Sequence, residues 1–153
     1  MTGRLATEFD AAEQSPGLLL WQVTNRWQAA QRATLKPFGL THVQFVLLVS
    51  LTWLHSTEPV TQRELSEHAA TDPMMTSQVL RTLENNGLIR RLPHPRDARA
   101  RALEVTAEGR ALANRAVVAV ESCDRTFFAA LGDRKPGFVA ALARLGNAAT
   151  RRA

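Results

Sequence analysis

The chain has 153 residues, a length that fits one domain or two closely packed lobes and allows a real hydrophobic core. Hydrophobic residues make up 45% and charged residues 22%, values of an ordinary folded protein that exclude wholesale disorder. The net charge of +5 at pH 7 favours an anionic partner such as nucleic acid, provided that the charge is concentrated in one region.

No segment is expected to cross a membrane or to direct secretion. The longest apolar stretch, residues 45–54, is far shorter than the ~20 residues that a transmembrane helix needs. Glu8, Asp10 and Glu13 lie at the amino terminus, where a secretory leader would carry positive charge and an apolar core. With one cysteine, Cys123, no internal disulfide can form, so we expect a cytoplasmic protein with an inert thiol, a redox sensor being the alternative.

Two helices are predicted in the first third of the chain. Ser15 followed by Pro16 is typical of a helix N-terminus, because serine caps free N–H groups and proline has none to satisfy. Apolar residues then recur at helical spacing until a break at residues 37–39. Residues 41–44 have capping-box form and open a second helix that is apolar nearly all round, so we expect it to lie centrally.

Two shorter helices follow a predicted stop at Glu58-Pro59. Residues 61–64 form a second capping box, which opens a short helix through Ala70. Asp72-Pro73 then begins a fourth helix, with the aspartate as its cap, and this helix ends at the Asn-Asn-Gly sequence of residues 85–87.

A basic β-hairpin is predicted next. Residues 88–92 and 102–105 read as two strands, joined by a long turn that begins around residues 93–95. Five arginines against one aspartate make residues 88–101 strongly positive, whereas residues 102–133 are net negative. The positive charge is therefore concentrated in the hairpin and in the tail from Arg134, which has no acidic residue.

Two more helices complete the prediction. Thr106 caps a long fifth helix that runs to about Leu131, and residues 132–137 separate it from a last helix over residues 138–150. Both helices are apolar enough to need cover from other parts of the structure. The residues concerned are Val117, Val118, Val120, Phe127, Phe128, Phe138, Leu142 and Leu145.

The fourth helix has one apolar face and one face suited to DNA. The apolar face is formed by residues at i, i+3, i+4 and i+7, namely Thr76, Val79, Leu80 and Leu83. The opposite face carries Met74, Ser77, Gln78 and Arg81, and glutamine and arginine make bidentate contacts with adenine and guanine in the major groove. An amphipathic helix with a merely solvated face is the alternative. The capped short helix before it and the arginine hairpin after it favour a winged helix-turn-helix that contacts DNA.

Three motifs in the correct order resemble the MarR (multiple-antibiotic-resistance regulator) family of bacterial transcription factors, over roughly residues 15–150. Asp97-Ala-Arg99, five residues before Val105-Thr106-Ala-Glu-Gly109, looks like the wing signature of that family, with valine in place of the usual leucine. Residues 40–45 resemble the opening of its second helix, and residues 83–89 resemble the exit of its recognition helix.

The resemblance implies a mainly helical fold with a small β wing, in which amino- and carboxy-terminal helices form a homodimer. Residues 15–59 and 106–153 would form the dimerisation lobe and residues 60–105 the DNA-binding lobe of a single domain, 1–153. Two recognition helices would then lie ~34–36 Å apart on a pseudo-palindromic operator.

The resemblance also assigns DNA-binding residues. Arg99 would enter the minor groove, and Asp97 would orient the wing through an ion pair. The recognition helix would meet bases and phosphates at Met74, Met75, Ser77 and Gln78, to which the residues themselves add Arg81 and, as a phosphate partner, Arg96. Methionines 74 and 75 stand where members often carry serine or threonine, which implies a different operator preference.

An effector crevice is implied by the same resemblance. Trp27, His42 and Phe45 would lie between the two lobes, where related proteins bind small aromatic or anionic molecules, although core aromatics are the alternative reading. The four histidines are scattered along the chain, so we expect no metal site and no cofactor. No catalytic motif is present, so we expect no enzyme.

The sequence therefore predicts a sequence-specific DNA-binding regulator, acting as a homodimer and as a repressor released by a small effector. The alternative is a winged-helix module whose basic hairpin docks an acidic protein.

Overall fold

The computed structural model describes residues 5–54 and 58–152. Within them the chain forms six α-helices and one antiparallel pair of strands, which confirms the predicted mainly helical fold with a β wing. In chain order the elements are α1 (Pro16–Leu35), α2 (His42–Leu54), α3 (Gln62–Ala69), α4 (Pro73–Asn85), β1 (Ile89–Pro93), β2 (Arg101–Val105), α5 (Ala107–Phe127) and α6 (Lys135–Arg152). Short 3-10 turns lie at Ala12–Gln14, Lys36–Phe38 and Phe128–Arg134.

Side chains cap the helix starts where the sequence predicts them. Each cap accepts a hydrogen bond from a backbone N–H of the first turn and so satisfies a donor that the helix leaves free. The capping side chains are Ser15 for α1, Thr41 for α2, Thr61 for α3, Asp72 for α4 and Thr106 for α5. The capping boxes at the starts of α2 and α3 are both closed by the reciprocal bond, in which the Gln44 and Glu64 side chains accept from the backbone N–H of Thr41 and Thr61 respectively.

Helix α2 is the centre of the core, as its apolar sequence predicts. Leu47, Leu48 and Leu51 are completely buried, and α2 packs against α1, α3, α4, α5 and β2. A helix contacted on all these sides has little surface left for polar residues, which explains why its sequence lacks the usual amphipathic pattern. No single described helix is both long and apolar enough to span a membrane; α1 with its 3-10 turn and α2 meet the two criteria only as a pair, across a 76° bend.

Several boundaries differ from the prediction by one or more residues. Helix α5 ends at Phe127 rather than near Leu131, and the chain continues as a 3-10 turn to a break at Gly132, whose φ of 54° and ψ of −128° are not helical. Helix α6 begins at Lys135 and contains Pro136, because proline is tolerated in a first turn, where its missing N–H has no partner. Pro93 is the last residue of β1, not part of the turn. At the predicted stop of α2 before Glu58-Pro59, residues 55–57 lie outside the described part of the chain.

The base of the hairpin is packed tightly against the start of α5. The Thr106 backbone N–H donates to the Leu88 carbonyl at 3.1 Å, and its hydroxyl donates to the Gly87 carbonyl at 2.7 Å. Gly109, in the first turn of α5, sits directly against Leu88: a Cβ there would overlap the Leu88 carbonyl oxygen and lie 3.0 Å from Val105 Cγ1. Glycine is therefore required at this position by the close approach of backbone.

We expect Gly109→Ala to destabilise the protein by about 1–3 kcal/mol or more, because the clash is with backbone that cannot move aside. Urea denaturation measures the change in free energy of unfolding. Gly137→Ala is the matched control, since a Cβ at this position in the first turn of α6 meets nothing within 4 Å. The control should be neutral or gain up to about 1 kcal/mol; equal stabilities for the two variants would contradict the packing described.

Candidate nucleic-acid interface

Helix α4 offers the predicted residues to solvent on one face. Its opposite face is anchored in the core by the fully buried Thr76, Leu80 and Leu83, whereas Val79 is only partly buried. Met74 is 73% exposed, Gln78, Arg81 and Met75 are exposed, and Ser77 is half-buried. The five predicted contact residues of this helix therefore share its outward side, with Ser77 at the edge.

The turn before α4 is held by hydroxyl groups. Thr76 Oγ1 lies 2.8 Å from the Asp72 carbonyl oxygen and 2.7 Å from Thr71 Oγ1, so the last two residues of the turn meet at one buried side chain. The Asp72 carboxylate accepts from the Met75 N–H at 2.9 Å. These bonds fix how α4 leaves the turn after α3.

The wing is a β-hairpin that has a further backbone hydrogen bond outside its two strands. Strands β1 and β2 pair in register from Ile89 with Val105 to Pro93 with Arg101, and the Leu103 N–H donates to the Val60 carbonyl at 2.7 Å. That bond ties the wing to the segment before α3. A two-stranded ribbon is marginally stable alone, so this attachment supports it.

Asp97 shapes the tip of the wing, but not through the ion pair that the resemblance implies. Its Oδ1 accepts a hydrogen bond from the backbone N–H of Arg99 at 2.9 Å, and among the described residues it has no cationic partner. Aspartate commonly makes this bond to the amide two residues on, which closes a tight turn. The turn presents the exposed Arg99 side chain, for which no hydrogen bond or ion pair is found within residues 5–54 and 58–152.

Three of the five hairpin arginines are paired with glutamates that sequence reasoning missed. Arg90 pairs with Glu104 at 2.6 Å, Arg91 with Glu84 at 2.9 Å and Arg96 with Glu58 at 2.8 Å. The signal for Glu104 was available, because it lies opposite Arg90 in the strand register. Glu58 and Arg96 are both more than two-thirds exposed, and such pairs contribute little and open readily.

The predicted effector residues fall into two groups. The rings of Trp27 and His42 are half-buried and meet edge to face with centroids 5.0 Å apart. Phe45 is only 7% exposed and belongs to the core, so it is a packing residue rather than part of an open crevice. Burial lowers the pKa of His42 below its ordinary value near 6.5; the Asp124 carboxylate opposes this shift and the Arg32 charge adds to it.

Asp124 is a second residue that sequence reasoning missed. Its Oδ1 accepts from Trp27 Nε1 at 2.8 Å and from Gln31 Nε2 at 2.7 Å, which joins α5 to α1. Gln31 is fully buried, and its Oε1 has no hydrogen-bond partner within the described residues. Trp27 and Gln31 are two N–H donors four residues apart on α1, and this spacing was the available signal in the sequence.

Other chemistry-bearing residues are dispersed. No three His, Cys, Asp or Glu side chains within residues 5–54 and 58–152 are placed to hold a metal ion. Cys123 is half-buried and lines a shallow cleft between α1 and α5. A larger cleft of about 450 Å³ lies between α5 and α6 and is lined by Phe128, Phe138 and Leu142.

A capped recognition helix followed by an arginine-bearing wing defines a winged helix-turn-helix transcriptional regulator. The MarR family model matches residues 40–100, the part that holds α2, α3, α4, β1 and the turn of the wing, and it ends just before β2. A Bacillus subtilis relative, the uncharacterised HTH-type transcriptional regulator YdcH, is 42% identical over 91% of this chain and 95% of its own length. The chain belongs to the MarR family.

Solved structures of other members extend the comparison. The Mycobacterium tuberculosis repressor Rv2887 is 33% identical over 89% of this chain and 97% of its own. Its complex with DNA superposes with a TM-score of 0.66 (32% identity, 86% and 98% covered), and its complex with salicylic acid with a TM-score of 0.67 (33%, 88% and 99%). CouR of Rhodococcus jostii RHA1, bound to p-coumaroyl-CoA, gives 0.78 at 26% identity over 89% of this chain and 94% of that one.

The lowered pKa of His42 gives a stability prediction with a definite sign. As the pH falls below about 6.5, the unfolded chain takes up a proton on His42 before the folded chain does, so the free energy of unfolding decreases. His42→Asn should remove this part of the decrease, and urea denaturation between about pH 7.5 and 5.5 measures it. His68→Gln, an exposed change on α3, is the control for removing an imidazole. A His42→Asn curve parallel to the wild-type curve would contradict the burial described.

Proposed function

We propose that the chain is a homodimeric repressor that reads a pseudo-palindromic operator with α4 and the wing. The observation that carries the proposal is the outward face of α4, where an amide and a guanidinium stand beside flexible methionines while the inner face is locked in the core. The Rv2887 complex with DNA supports the same ligand for this chain. Nothing in the structure favours the acidic protein partner, and family membership favours a regulator without catalytic activity, acting in the cytoplasm.

The proposed contacts divide between reading bases and holding phosphates. Gln78 and Arg81 are proposed to contact base edges in the major groove, with Met74 and Met75 packing on thymine methyl groups and Ser77 bonding a base or a phosphate. Arg99 is proposed to enter the minor groove, whose negative potential favours arginine. Arg96 would exchange Glu58 for a phosphate, an exchange that an exposed ion pair allows at little cost. Asp97 orients the wing through its bond to the Arg99 amide.

Exposed apolar side chains support the proposed dimerisation lobe of residues 15–59 and 106–153, with residues 60–105 as the DNA-binding lobe. Of the residues predicted to need cover, Val120 is buried within the chain itself, whereas Val118, Leu142 and Leu145 remain exposed. The first half of α1 adds five more exposed residues, Leu18, Leu19, Leu20, Trp21 and Val23. Apolar surface of this extent on α1 and α6 is typical of a subunit interface.

The effector crevice is proposed at Trp27 and His42, with Phe45 as the packed wall behind them. Its support is the aromatic pair itself and the aromatic ligands of two relatives, salicylic acid in Rv2887 and p-coumaroyl-CoA in CouR. The two rings connect α1 with the start of α2. Helix α2 in turn packs against α3 and α4 of the proposed DNA-binding lobe. An effector would release DNA only by binding more tightly to a lobe arrangement that cannot fit the operator.

Gln78→Ala should weaken binding to a duplex selected from random oligonucleotides by about 1–3 kcal/mol and relax the preference at one base position. Fluorescence anisotropy titration of the selected and a random duplex measures both effects, and the random duplex is the control, since its affinity should not change.

With roughly 6–10 phosphates engaged per dimer, wild-type affinity should fall about 10³–10⁵-fold from 50 to 200 mM salt.

Two outcomes would contradict this assignment. An equal loss on random DNA would make Gln78 a backbone contact, and a flat salt response would contradict DNA binding through the arginines.

Salicylate is the probe for the crevice. We expect salicylate to weaken operator binding by the wild-type protein. Its effect on Trp27→Ala should be several-fold smaller, because the ring that meets His42 edge to face is lost. Trp53→Ala, which also removes an indole, is the matched control and should respond like the wild type; Trp53 is 69% exposed at the far end of α2. Equal responses of the two tryptophan variants would place the effector elsewhere.

A further inference from the structure

One arginine of the wing contacts both helices of the helix-turn-helix. Arg91, on β1, donates from Nε to Glu84 Oε2 in the last turn of α4 at 2.9 Å, and from Nη1 to Gln62 Oε1 at the start of α3 at 3.1 Å. Three elements that contribute to the DNA-binding surface therefore meet at a single guanidinium. Its side chain is 25% exposed, compared with 60% for the neighbouring Arg90.

The chemistry of the guanidinium suits this place. Its donors are planar and fixed relative to one another, so two simultaneous bonds define an orientation as well as a distance. Partial burial reduces solvent screening, so the pair with Glu84 holds more firmly than an exposed pair does. Because two of its donors are already directed at protein acceptors, Arg91 is poorly placed to serve as a phosphate contact.

Backbone hydrogen bonds hold the wing at its base and at Leu103, and side chains add further attachments. Between α4 and β1 the chain turns through Gly87, whose φ of 74° lies in the left-handed region, and the Leu88 N–H bonds back to the Leu83 carbonyl at 3.0 Å. The backbone bond from Leu103 to Val60, the exposed Arg96–Glu58 pair and the Arg91 contacts join the wing to the segment around α3. Of the two side-chain attachments, that of Arg91 is partly buried and also reaches α4, so it bears directly on the direction of the wing relative to α4.

We propose that Arg91 is a positioning residue that fixes the angle between α4 and the wing, so that Gln78 and Arg99 reach the two grooves at the same time. The inference rests on the proposed function, because it assumes that α4 and the wing both contact DNA. Arg91 contributes by joining Gln62 and Glu84, not by touching DNA.

The neighbouring arginine provides a matched control. Arg90 lies on the same strand, carries the same charge and pairs with Glu104 directly opposite it, a contact confined to the wing. Arg90→Met and Arg91→Met remove one charge each and keep the aliphatic stem. They differ in whether the lost contact connects the wing to α3 and α4.

The test is a set of titrations of the selected duplex. Arg91→Met should weaken binding by about 10-fold or more, since two charge-assisted hydrogen bonds are lost, and Arg90→Met by about 3-fold or less. In an Arg99→Ala background, Arg91→Met should have little further effect on operator affinity. Without the Arg99 side chain the wing no longer contacts the minor groove, so its angle to α4 no longer matters. Near-ultraviolet circular dichroism and thermal melts establish that each variant is folded.

The Glu84→Ala variant separates a positioning role from a phosphate contact by the direction in which operator affinity changes. It can be tested even where Arg91→Met fails to fold. A positioning role predicts weaker operator binding although the protein becomes more positive, whereas an arginine that contacts phosphate would be released and bind DNA more tightly. Tighter binding by Glu84→Ala, or equal losses in Arg90→Met and Arg91→Met, would overturn the inference alone. A wild-type protein that selects no duplex would overturn the proposed function together with it.

Discussion

The burial of one face of α4 against the core decides everything that the opposite face presents. Thr76, Leu80 and Leu83 are completely enclosed among α2, α3 and β1, so the rotation of the helix about its axis is fixed. Each residue along a helix turns its side chain by about 100°, so a slip of one position would bring polar side chains such as Arg81 and Glu84 into the core. The buried face therefore sets which side chains point outward, before any ligand is considered.

The local part of this arrangement could be predicted from the sequence because its causes are local. A capping serine, threonine or aspartate acts within one helical turn, and a left-handed glycine such as Gly87 ends a helix wherever it stands. The apolar spacing along α4 likewise contains its own orientation. The helix order, the wing strands and the outward set on α4 followed from these signals, whereas Phe45, placed in the crevice by resemblance, packs into the core.

What could not be predicted depends on contacts between distant residues. The hairpin appears strongly positive in sequence, yet Arg96 meets Glu58, 38 positions earlier, and Arg91 meets Glu84 across the end of α4. No periodicity specifies such pairs, because they form only after the elements have packed. The end of α5 is a similar case. The ring centroid of Phe128 lies 5.2 Å from that of Phe127 and 5.8 Å from that of Phe138, and α5 ends at this aromatic cluster although helical propensity continues beyond it.

The hydrogen bonds around Asp124 constrain how an aromatic acid could lie in the proposed crevice. This carboxylate is held by Trp27 and Gln31, and its charge opposes the lowering of the pKa of His42, so its field extends to the aromatic pair. A second carboxylate placed on that side would be repelled. Arg32 acts on His42 with the opposite sign, so it is the cation towards which an acid group would turn. In that orientation the ring of the ligand would lie between α1 and the start of α2, and α2 packs against α3 and α4 of the proposed DNA-binding lobe.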